Sequence, residues 1–165
     1  MVSQEGSALQ TLHDVIIDKR NKAYSEEFES AMMKHIGLSV DLRKGRLAKE
    51  ALHQYKNVCQ NSKPQSVEKV IKYFLEISEK KVDSAKEKAD RILEGIDDLD
   101  AIETPEQVIM SAVTGEDTKD RTDRGVVTPW LKFLWESYRT ALDVLRNNNN
   151  LQVAYQVFFF FFNFF

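Results

Sequence analysis

The chain has 165 residues, 23 Lys plus Arg against 26 Asp plus Glu, a formal net charge of −3, and 42% apolar and 30% charged residues, which suits one soluble domain or a piece of one. A chain of this length buries roughly two thirds of the surface its unfolded form exposes, so a core needs neither disulfide nor metal. The single Cys59 excludes an internal bridge and points to a reduced intracellular setting, and the absence of GxGxxG and GxxxxGK patterns excludes the usual phosphate-cradling loops.

Apolar residues recur at helical spacing from the start of the chain. Leu9, Leu12, Ile16 and Ile17 predict a helix over 7–20, Phe28, Met32, Ile36 and Val40 one over 25–44, and Leu47, Ala51, Leu52, Tyr55 and Val58 one over 46–60. The breaks between them, Asn21 to Ser25 and Gly45, are short and imply antiparallel neighbours. Ser66 is placed to cap a long fourth helix, whose second half from Glu79 to Arg91 is densely charged and suited to solvent or to the flank of a partner. Residues 1–96 thus read as helical hairpin repeats ending in a long helix, and 97–103 as an acidic connector.

Over 104–157 the helical pattern continues around a charged loop at 115–125. Thr104-Pro105-Glu106-Gln107 and Thr128-Pro129 each set a hydroxyl cap before a proline at the first helical position. The last helix, near 129–147, is the most apolar. Its Trp130, Leu134, Tyr138 and Leu145 share one stripe and, with Leu52 and Tyr55, form the expected structural core. Of the ten Phe, seven crowd into 158–165. That run falls far short of the ~20 apolar residues that span a bilayer. Following the Asn147 to Asn150 run, it reads as translated AT-rich DNA, a gene-model or read-through artefact, with a stub whose partner surface is missing and a hydrophobic anchor as the alternatives.

Ala8, Leu12 and His13 recur forty residues later as Ala48, Leu52 and His53. A period near forty with a helical hairpin per unit marks an α-solenoid, in which each unit buries its apolar face by stacking on the next. Such folds hold partners along an extended surface. Catalysis finds little support: His13, His35 and His53 lie on three predicted helices without HExxH or CxxC spacing, and no nucleophile elbow presents a serine. No cofactor is expected. Residues 97–128 carry a net charge of −6, leaving +3 for the rest, and lack the ligand ladder of a calcium loop. Arg43, Lys44, Arg46 and Lys49 cluster at a helix–helix turn and are the candidate contacts for RNA or the ribosome. Trp130, Trp135 and Tyr138 lie near Lys132 and Arg139, but core packing accounts for these aromatics better than base stacking does.

Three ordered blocks carry a resemblance: VDLRKGRLAKEALHQYKN from Val40 to Asn57; TPEQ at Thr104 with SAVTGEDTKDRTDR from Ser111 to Arg124; and TPWLKFLWESYR from Thr128 to Arg139 with LRNN at Leu145. Together they resemble the N-terminal region of the largest-subunit family of eukaryotic translation initiation factor 3, over about residues 7–155. The resemblance implies an all-α fold, a right-handed α-solenoid of TPR-like hairpins leading toward a PCI domain that the chain does not include. It implies a cytoplasmic, non-catalytic scaffold whose partners are the other subunits of the factor, the c subunit among them, the small ribosomal subunit, and mRNA or rRNA, with no membrane. Two departures are expected: the family's first helix is missing at the start, and the Phe run replaces the helical continuation after Tyr155. The alternatives are a PCI-type scaffold of another complex, such as the proteasome lid, and an RNA-binding helical module.

Overall fold

The computed structural model describes residues 2–18, 23–97 and 123–146, with the single positions 152, 155 and 156. Among these residues the chain is all-helical: α1 (Val2–Ile17), α2 (Glu26–Asp41), α3 (Gly45–Cys59), α4 (Pro64–Asp97), one π-helical turn (Asp123–Val127) and α5 (Thr128–Leu145). The acidic connector beyond Asp97, the Thr104-Pro105 helix start, most of the charged loop and the Phe run lie outside the described residues. Asp97 itself ends α4. Gly125, expected in the loop, belongs to the π turn that leads into α5.

Local chemistry sets the helix ends. Ser25, in extended conformation, accepts a hydrogen bond from the Phe28 amide at 3.1 Å, and Glu26, Glu27 and Glu29 place negative charge on the first turn of α2. Gly45 was the expected break, but the chain turns earlier. The Arg43 amide donates to the Val40 carbonyl at 3.0 Å and the Lys44 amide to the Ser39 carbonyl at 2.7 Å, with Arg43 at φ 52°. This is a Schellman closure with an arginine in the left-handed position that glycine usually takes. Gly45 is instead the first residue of α3.

Ser66 does not cap α4. The helix already starts at Pro64, whose fixed φ and missing amide suit the first position. The Ser66 hydroxyl is buried in a side-chain network described below.

Two compact units are present, Met1–Ser78 with Trp135–Phe165, and Glu79–Leu134. In the first, α1, α2 and α3 pack pairwise. Met32, Ile36 and Val40 of α2 and Ala51, Leu52 and Tyr55 of α3 are buried at its centre, and Phe28 stacks on Tyr55 with ring centroids 5.4 Å apart. Ile71 and Phe74 of α4 and Tyr138, Ala141 and Leu145 of α5 are buried in the same unit, and each large apolar side chain removed from water contributes ~1.5–3 kcal/mol. In the second unit Val82, Ala85 and Ala89 form a buried helical stripe, and Val127, Phe133 and Leu134 are buried.

The forty-residue repeat is not matched in burial. Ala8 is exposed where Ala48 is buried, and His13 is buried where His53 is half-exposed. Helix α3 buries Ala48, Ala51, Leu52, Tyr55 and Cys59, whereas α1 buries only Leu9, His13 and Ile16 among its described side chains, so equivalent positions of the repeat fall on different faces.

Candidate functional site

The basic cluster begins at the α2–α3 turn, where the Schellman closure projects the exposed Arg43 and Lys44. Helical spacing then carries Arg46, Lys49, His53 and Lys56 along one side of α3. Arg46 and Lys49 are bound to carboxylates. The Arg46 Nε donates to Glu50 Oε1 at 3.0 Å, one turn away, and holds that carboxyl below its usual range. Lys49 Nζ lies 2.9 Å from Asp143 Oδ2 on α5, and His53 Nε2 lies 3.6 Å from the same oxygen. The hydrogen bond from Lys49 is the main reason that the Asp143 carboxyl sits below its ordinary range. Lys56 Nζ donates to the Arg146 carbonyl at 3.3 Å, placing a cation at the negative end of α5. Of the four cations predicted to meet RNA, Arg46 and Lys49 meet carboxylates along α3, and Arg43 and Lys44 are exposed at the turn.

The aromatic residues of α5 are also redistributed. Leu134, Tyr138 and Leu145 are buried, as are Leu52 and Tyr55 on α3, but Trp130 is only partly buried. It lies in the first turn of the helix and meets Phe133 edge-on at 6.0 Å, so its large ring covers the stripe's end instead of filling its centre. Trp135, assigned to packing from the sequence, is 53% exposed, because it falls between the buried positions 134 and 138 on the helix's outer side. The Arg139 guanidinium lies 5.5 Å from the Trp135 ring centroid, one turn on.

Glu29 anchors a second polar cluster that the sequence does not announce. Tyr24 donates to its Oε2 at 2.7 Å, Ser66 to the same oxygen at 2.6 Å, and Lys69 Nζ to Oε1 at 2.6 Å. Because the Ser66 proton is committed to Glu29, the 2.6 Å contact between Tyr55 and Ser66 has the tyrosine donating. Lys63 Nζ completes the group by donating to the Tyr24 hydroxyl at 3.0 Å. Led by the Lys69 bond, these donors hold the Glu29 carboxyl down to about 2. An open cleft of about 390 Å³ lies above it, lined by Tyr24, Glu26, Ser30, Met33, Lys63 and Lys69. Its two lysines are already engaged, so the cluster ties α2 to α4 and to the residues preceding α2.

The histidines form a third group. His13 Nδ1 lies 3.3 Å from His35 Nε2, with the rings stacked at 5.4 Å. Ser39 Oγ is 3.5 Å from His35 Nδ1, and Glu50 Oε2 is 3.5 Å from His13 Nε2. Serine, histidine and carboxylate thus occur in sequence, but Ser39 and His35 are fully buried, so no substrate reaches the hydroxyl. Every buried side-chain nitrogen or oxygen among the described residues has a hydrogen-bond partner. Among those residues no cluster of three metal-ligating groups occurs, and no helix is long and apolar enough to cross a membrane.

Comparison with known proteins adds an independent line. The family model described as "eIF3a, PCI domain, TPR-like region" matches residues 1–160, a wider span than the sequence blocks covered. The chain is 52% identical over 158 residues to the A subunit of eukaryotic translation initiation factor 3 of Schizosaccharomyces pombe, with 94% of this chain and 17% of that protein covered. Its identity to the corresponding A subunits of Danio rerio and Homo sapiens is 49% over 154 residues, which covers 93% of this chain and 12% and 11% of theirs. The chain therefore spans less than a fifth of the length of these curated relatives.

Proposed function

Since the chain belongs to the family of the eIF3a PCI domain, TPR-like region, we propose that it is a non-catalytic scaffold segment acting in translation initiation, as part of initiation factor 3 on the small ribosomal subunit in the cytoplasm. The observation that carries this reading is the family match across residues 1–160, with identities near one half to proteins named for that factor. The helices stack as a right-handed solenoid, for which the pairwise packing of α1, α2 and α3 is support. The partners are other subunits of the factor, the c subunit among them, and the ribosome. Reconstitution tests this: the full chain added to purified small subunits and to the remaining factor 3 subunits should co-sediment with them. Sedimentation only as free protein would reject the role.

RNA contact within that role rests on Arg43 and Lys44, because both are exposed at the turn that joins α2 to α3. About two phosphate contacts give a slope of log affinity against log salt near −1.5, where four would give about −3. Reversing the charge of Arg43 and Lys44 together should abolish most of that slope in binding to ribosomal RNA. An unchanged slope would remove RNA from the list of partners.

A further inference from the structure

The helix α1 is held by three buried side chains among those described, Leu9, His13 and Ile16. One of the three is titratable, and it meets a second buried imidazole on α2. The hydrogen-bond directions decide what this pair can do. With both rings neutral, the Ser39 hydroxyl donates to His35 Nδ1, His35 Nε2–H donates to His13 Nδ1, and His13 Nε2–H donates to the Glu50 carboxylate. Every member is then satisfied. A proton added at His13 Nδ1 reverses the central bond: His13 becomes the donor, His35 Nε2 the acceptor, and His35 Nδ1–H turns to Ser39 Oγ. The imidazolium then lies between a carboxylate and a lone pair. A second proton has no such place, because two N–H groups would face each other across 3.3 Å with no acceptor between them.

We propose that Ser39, His35, His13 and Glu50 form a one-proton relay that latches α1 onto α2 and α3 and lets α1 go in acid. The groups that reach the pair from the packed elements are Ser39 on α2 and Glu50 on α3, whose other oxygen is held by Arg46. Burial, and next the charge of His13, hold the imidazolium form of His35 down to about 4. Docked, the geometry admits one proton at most and keeps His35 neutral. Undocked, His35 is free to take up its own proton in the ordinary histidine range near 6.5. Docking therefore weakens about tenfold per pH unit as pH falls from about 6 toward 4.5, in proportion to the one extra proton bound by the undocked state.

Substitutions change that slope in opposite directions. In Glu50→Gln the docked relay loses the carboxylate beside His13 that offsets an added proton, so docking weakens more steeply with acid than in the wild type. In His35→Gln a neutral amide accepts from His13, the proton that undocking adds at residue 35 is gone, and the slope vanishes. The test is hydrogen exchange of the full chain from pH 7 to 4.5, corrected for intrinsic exchange, comparing amides of α1 with those of residues 64–78 in α4. The expected result is loss of α1 protection with the slopes stated while α4 keeps its own. A wild-type slope of zero, one slope shared with Glu50→Gln, or parallel loss from α1 and α4 would overturn the latch. Glu50 is half-exposed, so its variant decides the matter even where His35→Gln fails to fold.

Discussion

Arg43 carries a backbone conformation that costs an L-residue roughly 1–2 kcal/mol, and it does so at φ 52° in the turn that presents the basic cluster. Glycine would relieve the strain while adding freedom to the unfolded chain, so Arg43→Gly should raise stability by about 0.5–1 kcal/mol. Urea midpoints check this, and a lowered midpoint would mean that the arginine side chain contributes more than its backbone costs. The same variant should weaken RNA binding, so stability and affinity move apart if the turn is a contact site. The sequence drew attention to Gly45, two residues away, because glycine is the usual marker of a helix end. It could not show that the closure falls on Arg43, since register within a turn follows from how α2 and α3 pack and not from the turn residues alone.

At the level of the element, α5 shows how a stripe and its burial can differ. Positions 130, 134, 138, 141 and 145 share a face, yet the face is buried fully only beyond its first turn. Leu145→Ala should cost about 2–5 kcal/mol by leaving a cavity, and Trp130→Ala only about 1–2 because the ring is only partly buried and leaves no closed cavity. Chemical denaturation of both variants compares them directly, and equal losses would contradict this difference in burial. The elements themselves were legible: α2 and α3 lie within three residues of the ranges read from apolar spacing, and α1 starts five residues earlier than read. Their ends moved because Pro64 starts α4 ahead of Ser66 and because the Schellman turn stops α2 at Asp41.

Across the whole molecule the buried polar groups set a response to acid in two windows. His35, held down to about 4 against an ordinary value of 6.5, stays neutral when folded while the unfolded chain takes up a proton, so stability falls as pH drops from 6.5 toward 4. Glu29, held down to about 2 against 4.5, contributes stability that is complete above 4.5 and is lost as pH falls toward 2. Urea midpoints measured from pH 8 to 2.5 should fall in both windows. His35→Gln should flatten the first, and Glu29→Gln should flatten the second while costing about 2–3 kcal/mol at neutral pH. A midpoint that holds steady from 6.5 to 4 in the wild type would contradict the His35 assignment. Apolar spacing along one chain was enough to determine an all-helical fold and its first three helices, because helical period and local capping depend on near neighbours, while the family was legible only as the resemblance of three ordered blocks. Which cations are held by carboxylates, which aromatics face water, and which polar groups meet were decided only by tertiary structure. Glu29 and Ser66 lie 37 positions apart, His13 and His35 22 apart, and Lys56 and Arg146 90 apart. Contacts over such separations arise from the packing of whole helices, and no local pattern in the chain encodes them.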